Sequence, residues 1–406
     1  MYDIGDSLSA FSDIPDSFRN IPTKHYPLVI TFEKFLIMLD GSWENSFFEK
    51  FYDVSELSLK KTGVSRSVAL QTLMRQEEVN YPRFSSLYWP HFNTHLTKKF
   101  DASIVFTEII SHIKGSCTAN EVFDAKLSRE AYVSLSESRV SSLNIAAREV
   151  IYDIFLDYEK MKRMKGEFDI SDLVSDLHQR ATVCGRNVGA QMDFVYIDEV
   201  QDLTMRQISL FKYVCKNFAE GFVFAGDTAQ TIARGIDFRF EEIRSLFYTE
   251  FLPDQNYEPM KKTKGRYKSI SDMFHLNQNF RTHAGVLKLA QSVIDILCFY
   301  FPYSVDRLHP ETSMIFGEPP ILLESGNDEN VLMTLFGKSA NNSHSSHMNG
   351  FGADQVILVR DELSKQKIPQ DVGKNSLVLT ILECKGLEFQ VSWVFYYYYY
   401  YYYYSF

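Results

Sequence analysis

The sequence predicts an α/β protein, with parallel sheets flanked by helices and a long helical stretch ahead of the first strands. Three observations point there. Two mostly apolar runs, "FVYID" (194–198) and "GFVFAGD" (221–227), enclose a helix-like stretch, "TMRQISLFKYVCKNF" (204–218). Upstream, "LNIAAREVIYDIFLDYEKMKRMKGEFD" (143–169) repeats apolar residues at helical spacing. Downstream, "DQVILVRD" (354–361) and "SLVLTILECKGLEF" (376–389) supply the strands of a second α/β unit.

Taken in order, residues 1–29 form an N-terminal remnant. Their start, "MYDIGDSLSAFSDIPDSF", is acidic and polar, unlike a signal peptide. Residues 30–165 are expected to be mostly helical. Within them Ile145, Val150, Ile151, Ile154, Phe155 and Tyr158 share helical spacing, and Gly166 marks the stop. A further helix follows in "FDISDLVSDLHQR", with Ser171 as its candidate N-cap. The run "FVYID" has the length and apolarity of a strand buried on both faces. Strand, helix, strand implies a parallel βαβ unit. Asp198 and Asp227 close the two strands, so both face one sheet edge, where α/β proteins place ligands.

"LPDQNYEPMKKTKGRYKSI" (252–270) is a polar inter-domain linker, and an amphipathic helix begins at about Ala284. "GKSANNSHSSHMNGFGAD" (337–354) has the composition of a flexible loop, which is preferred to a metal site at His344 and His347. Tyr396 to Tyr404 are nine tyrosines in a row, a low-complexity tail or a defect of the sequence record.

Composition narrows the function classes. A chain of 406 residues has room for two or three domains. A charged fraction of 23% and a mean hydropathy of -0.19 suit a soluble globular protein. No stretch offers the roughly 18 apolar residues of a membrane span. Cys117, Cys184, Cys215, Cys298 and Cys384 are odd in number and lack CxxC spacing. That argues against zinc and for reduced thiols in an intracellular compartment, nuclear or cytoplasmic. With a net charge of -10, contact with nucleic acid would rely on a local groove. The basic cluster "KKTKGRYK" (Lys261 to Lys268) fits a solvated linker, with phosphate binding or a nuclear address as alternatives.

Four pieces carry chemistry: "IDEVQD", "AGDTAQTIARG", "NQNFRTH" and "LTILECKGLEF". Phosphoryl transfer needs groups positioned and charge offset. A carboxylate at a strand tip, here Asp198, can hold Mg²⁺ through water. Its neighbour Glu199 can orient the attacking water. The alternative for this pair is an exposed helix N-cap cluster.

In this order the four pieces resemble superfamily 1 helicases of the UvrD/Rep type, matching motifs II to V over about residues 166–285 and 350–395. The surrounding "PETSMIFGEPPILLESGNDEN" and "LECKGLEFQ" are most similar to the helicase region of large eukaryotic UvrD-like proteins carrying TPR and ankyrin repeats. The resemblance implies RecA-like P-loop NTPase lobes with a helical insertion. Residues 30–165 would be the first-lobe insertion, 166–255 the first lobe, 256–270 a linker and 271–395 an incomplete second lobe with an insertion at 300–350. Residues 396–406 would be a tail. It also implies ATP and Mg²⁺ bound between the lobes, with single-stranded DNA or RNA as partner, protein partners besides, and no membrane.

Residue by residue, the resemblance gives Gln230 the γ-phosphate sensor and places Asp227 at the nucleotide. Arg281 becomes the arginine that reaches the transferred phosphoryl group, a task its permanently charged, bidentate guanidinium suits. A helix cap and a salt bridge are the structural alternatives for Gln230 and Arg281. Gly386 and Glu388 match the segment near the ribose and the bound strand. Thr380 and Lys385 are candidates for phosphate contact, with a strand threonine and a solvated lysine equally open. Ala233 stands where bacterial members usually have an aromatic. Phe238 and Phe240 are the substitutes for base stacking, although packed core rings are the preferred reading.

The set lacks one part. Nothing before Asp198 fits the GxxxxGK[ST] loop that cradles phosphates. "LFGKSA", with Gly337, Lys338 and Ser339, is a decoy, since Leu332 occupies the first glycine's place. Motif VI is missing too. The expectation is a fragment of a longer helicase, with a catalytically silent interaction module as the alternative.

Overall fold

A computed structural model describes residues 13–50, 66–116, 126–138, 143–185, 188–218, 220–251, 271–302, 305–306, 309–322, 355–368, 377–389 and 391–395. The chain divides into two compact units, Met1–Phe316 and Gly317–Phe406.

The first unit opens with helices, as the periodicity predicts. The longer ones are α1 (Phe32–Asp40), α2 (Arg66–Glu77), α3 (Ala102–Thr107), α4 (Arg129–Ser138) and α5 (Ile145–Lys165). Beyond α3 the chain widens into π-type turns over Glu108–Ile113. Asn144 caps the start of α5, and Gly166 ends it at φ 69°, a left-handed conformation that costs glycine nothing. Ile151, Ile154, Phe155 and Tyr158 are fully buried and share a core with Phe106, Ile109, Ile113 and Tyr132. Val150 packs at the margin of that core, and Ile145, in the first turn, is exposed.

Helix α6 (Ile170–Val183) starts differently from the expectation. Its N-cap is Asp169, not Ser171. The Asp169 carboxylate accepts from Asp172 N, and the Asp172 carboxylate accepts from Asp169 N. A charged acceptor at the positive end of the helix outcompetes a hydroxyl two residues on, and Ser171 is buried in the first turn.

A second core surrounds β1 (Val195–Ile197) and β2 (Phe222–Phe224), which pair in parallel with Ile197 opposite Phe224. Their connection carries α7 (Met205–Ser209), and α8 (Phe240–Leu246) follows β2. Phe222 and Phe224 stack on each other and meet Phe247 edge-on, while Ile197 faces the same interior. The expectation of a strand buried on both faces fails: Phe194, Tyr196 and Val223 are exposed. Successive strand residues alternate sides, and here one side only is covered.

Further on, β3 (Gln278–Asn279) pairs in parallel with β4 (Thr312–Ser313) around α9 (Ala284–Tyr300), which starts where its spacing predicts. Gly285 is buried, whereas Leu289, Val293, Ile296 and Phe299 are exposed. In the second unit β5 (Gln355–Val359) lies between β6 (Val378–Thr380) and β7 (Val391–Phe395), all parallel, and α10 (Glu362–Lys365) follows β5.

The basic cluster 261–268, the polar loop with Lys338, His344 and His347, and the tyrosine run lie outside the described residues. Among the described cysteines, Cys184, Cys215, Cys298 and Cys384 are unbridged. No described helix is long and apolar enough to cross a membrane.

Candidate functional site

The two acids land on one edge because the parallel ladder continues past the strands. Ala225 N donates to Ile197 O at 2.8 Å, and Val200 N donates to Ala225 O at 3.0 Å. Asp198 and Glu199 therefore leave β1 beside Gly226 and Asp227 leaving β2. Asp198 is exposed, and one of its carboxylate oxygens accepts from Glu199 N at 3.0 Å. Glu199 adopts a left-handed backbone at φ 53°. That conformation costs a non-glycine residue on the order of 1 kcal/mol and collects at functional sites.

One residue ties the two loops together, and it is not among the candidates that motif and spacing single out. Gln201 is fully buried. Its Nε2 donates to the Glu199 carboxylate at 2.5 Å, and its Oε1 accepts from Asp227 N at 3.2 Å. A Cβ on Gly226 would stand 2.3 Å from that Oε1, so the neighbouring position admits only glycine while Gln201 keeps its place. The available signal was an amide two residues after the acid pair, inside a stretch otherwise apolar or acidic.

Asp227 then caps the next turn. One of its oxygens accepts from Ala229 N and the other from Gln230 Nε2, both at 2.9 Å. The cap is thus Asp227, and Gln230 is an exposed side chain bonded to it. Thr228 is buried, and its hydroxyl accepts from Asp306 N at 2.9 Å. Asp198, Glu199, Asp227 and Gln230 are brought together on one strand edge.

Arg281 occupies its own turn between β3 and α9, exposed, with its backbone N donating to Asn279 Oδ1 at 2.9 Å. Phe238 is 3% exposed and meets Phe240 edge-on at 5.1 Å, within the β1–β2 core. In the second unit Thr380 is buried, its hydroxyl accepting from Glu383 N at 3.1 Å. Gly386 is exposed at φ 79°, Glu388 is exposed, and Lys385 is partly buried.

Another acidic cluster, Glu159, Asp169 and Asp172, is compact enough to suggest a cation. Lysines fill that role. Lys114 Nζ lies 2.6 Å from Asp169, 2.7 Å from Asp172 and 3.0 Å from Glu159, and Lys162 Nζ makes three contacts of 2.6–2.7 Å with the same acids. Burial alone would raise the Asp169 carboxyl, but the two ammonium groups hold it well below the usual carboxylate range. This cluster fastens α5 to the start of α6.

The matched stretch of known sequence falls on the same ground. Residues 54–246 match the UvrD/Rep helicase N-terminal domain. The resemblance to UvrD-type helicases is therefore established. An alignment of 402 positions, taking in 91% of this chain, is also 31% identical to TPR and ankyrin repeat-containing protein 1 of Homo sapiens, and spans 13% of that protein. The UvrD-type match takes in helices α2 to α8, both strands β1 and β2, and every member of the Gln201-centred edge. Arg281 and the second unit lie beyond it.

Proposed function

We propose that this chain is part of an ATP-dependent helicase or translocase core, binding Mg-ATP at the strand edge that carries Asp198, Glu199, Asp227 and Gln230. The observation that carries the reading is the Gln201 bridge, which fixes two acid-bearing loops of adjacent parallel strands against each other. RecA-like lobes are the architecture this implies. The edge fits Mg²⁺, since Asp198 offers an exposed carboxylate, a hard oxygen donor. Bound there, the ion would offset charge on the nucleotide's phosphates. Glu199, oriented by Gln201, positions the attacking water. Gln230, released from Asp227, reports the γ-phosphate. Arg281 supplies a permanent cation to the transferred group from its separate turn.

Single-strand binding follows from the family alone. The buried positions of Phe238 and Thr380 give it no support, and Phe240 and Lys385 remain its candidates. Because nothing before Asp198 fits the phosphate-cradling loop with its lysine, turnover by this chain by itself is expected to be very slow. Titrating a fluorescent ATP analogue with and without Mg²⁺ tests the proposal. Mg-dependent binding weakened by Asp198→Ala supports it, and no binding in either condition favours the silent interaction module.

A further inference from the structure

The helical part of the first unit grips both loops of the candidate site, through the irregular segment that follows α3. Ser111 is buried and makes two bonds to the loop beyond Gln230: its hydroxyl donates to Gly235 O at 2.7 Å and accepts from Asp237 N at 2.9 Å. Next to it, His112 Nε2 lies 3.2 Å from the Asp237 carboxylate. Gly235 sits at φ 91°, and a Cβ there would come within 2.8 Å of the Phe106 ring. The Arg234 guanidinium lies over the Tyr81 ring at 5.6 Å.

The same segment holds the other loop as well. Gly115 O accepts from Arg206 N at 3.0 Å, at the start of the helix that follows Glu199 and Gln201. Behind the grip the segment is anchored in turn. Glu108 accepts from the Tyr132 hydroxyl at 2.6 Å and pairs with Arg148 at 3.0 Å, reaching α4 and α5. Ser111 and His112 lie in the π-type turns, a rare distortion of helices that is frequent at functional sites.

We infer that the segment from Phe106 to Gly115 is a positioning clamp for the nucleotide loops, with Ser111 setting where the Gln230 loop stands. The inference rests on the nucleotide reading of the site. It gives the helical part a second task besides packing: a displacement of Gln230 is transmitted through Ser111 and Glu108 into α4 and α5.

Hydrogen–deuterium exchange on the whole chain, joined to Mg-dependent binding of a fluorescent ATP analogue, tests it. Ser111→Ala is expected to speed exchange of the amides in 231–238 by about fivefold or more. The same variant weakens Mg-nucleotide binding several-fold, and Ser111→Thr, which keeps the hydroxyl, restores both. Gly235→Ala, pressing on Phe106, is expected to reproduce the Ser111→Ala result. Unchanged exchange in 231–238 overturns the clamp whatever the nucleotide does. Faster exchange with unaltered nucleotide affinity overturns the positioning role. If the unaltered chain binds no Mg-nucleotide, the reading of the site fails and the positioning role falls with it, while the exchange measurement still decides the clamp.

Discussion

Gln201→Ala removes the bridge between the two acid loops. The side chain is fully buried, so both of its partners lose a bond that solvent replaces poorly. The bond from Nε2 to the ionised Glu199 carboxylate contributes about 1.5–3 kcal/mol, and the bond from Asp227 N about 1 kcal/mol. Roughly 3 kcal/mol of stability should therefore disappear, read from the urea midpoint by circular dichroism. Gln201→Met keeps most of the volume without the bonds and should lose nearly as much. Mg-nucleotide affinity should fall further than stability accounts for, because Glu199 and Asp227 would no longer be held in register. A loss below about 1 kcal/mol for both variants would refute the argument that this amide fixes the site.

Glu78 supplies a pH test. Burial, with Asp169 and Glu33 nearby, raises its carboxyl to about 7, so the folded chain keeps a proton that the unfolded chain releases from about pH 4.5. Stability should decline by roughly 3 kcal/mol between those values, and Glu78→Gln should flatten the urea-midpoint profile over that window. Lys114→Met leaves the buried Asp169 with one ammonium partner and should cost roughly 3–5 kcal/mol, measured by thermal unfolding. The paired Asp169 carboxyl is held low, so its contribution is present above about pH 3.8 and lost as pH falls below that; Asp169→Asn should remove this acid-side dependence. Phe238→Ala should cost about 3–5 kcal/mol, the signature of a core ring rather than a stacking platform, again read by urea unfolding.

Much of the local structure was legible because it depends on short-range chemistry. Gly166 ends α5, Ala284 begins α9, and β1 and β2 run parallel with their acids on one edge, all as spacing and residue type predict. The misreadings involve competition or coverage. Ser171 lost the cap to Asp169 because the carboxylate also meets Lys162 and, 55 positions away in sequence, Lys114. Tyr196 has the character of a buried strand residue, yet whether a face is covered depends on what packs there, and apolarity does not report that. Gln201 escaped notice because a lone amide acquires meaning only when Glu199 and Asp227, 28 positions apart, fall on either side of it.

The left-handed backbone at Glu199 has a practical outcome for anyone selecting hardier variants. Asparagine or glycine would relax that residue by about 1 kcal/mol while deleting its carboxylate. A screen scored on heat resistance alone would thus drift toward inert proteins at this position, and the mutants that survive boiling longest would be the poorest guides to what the site does.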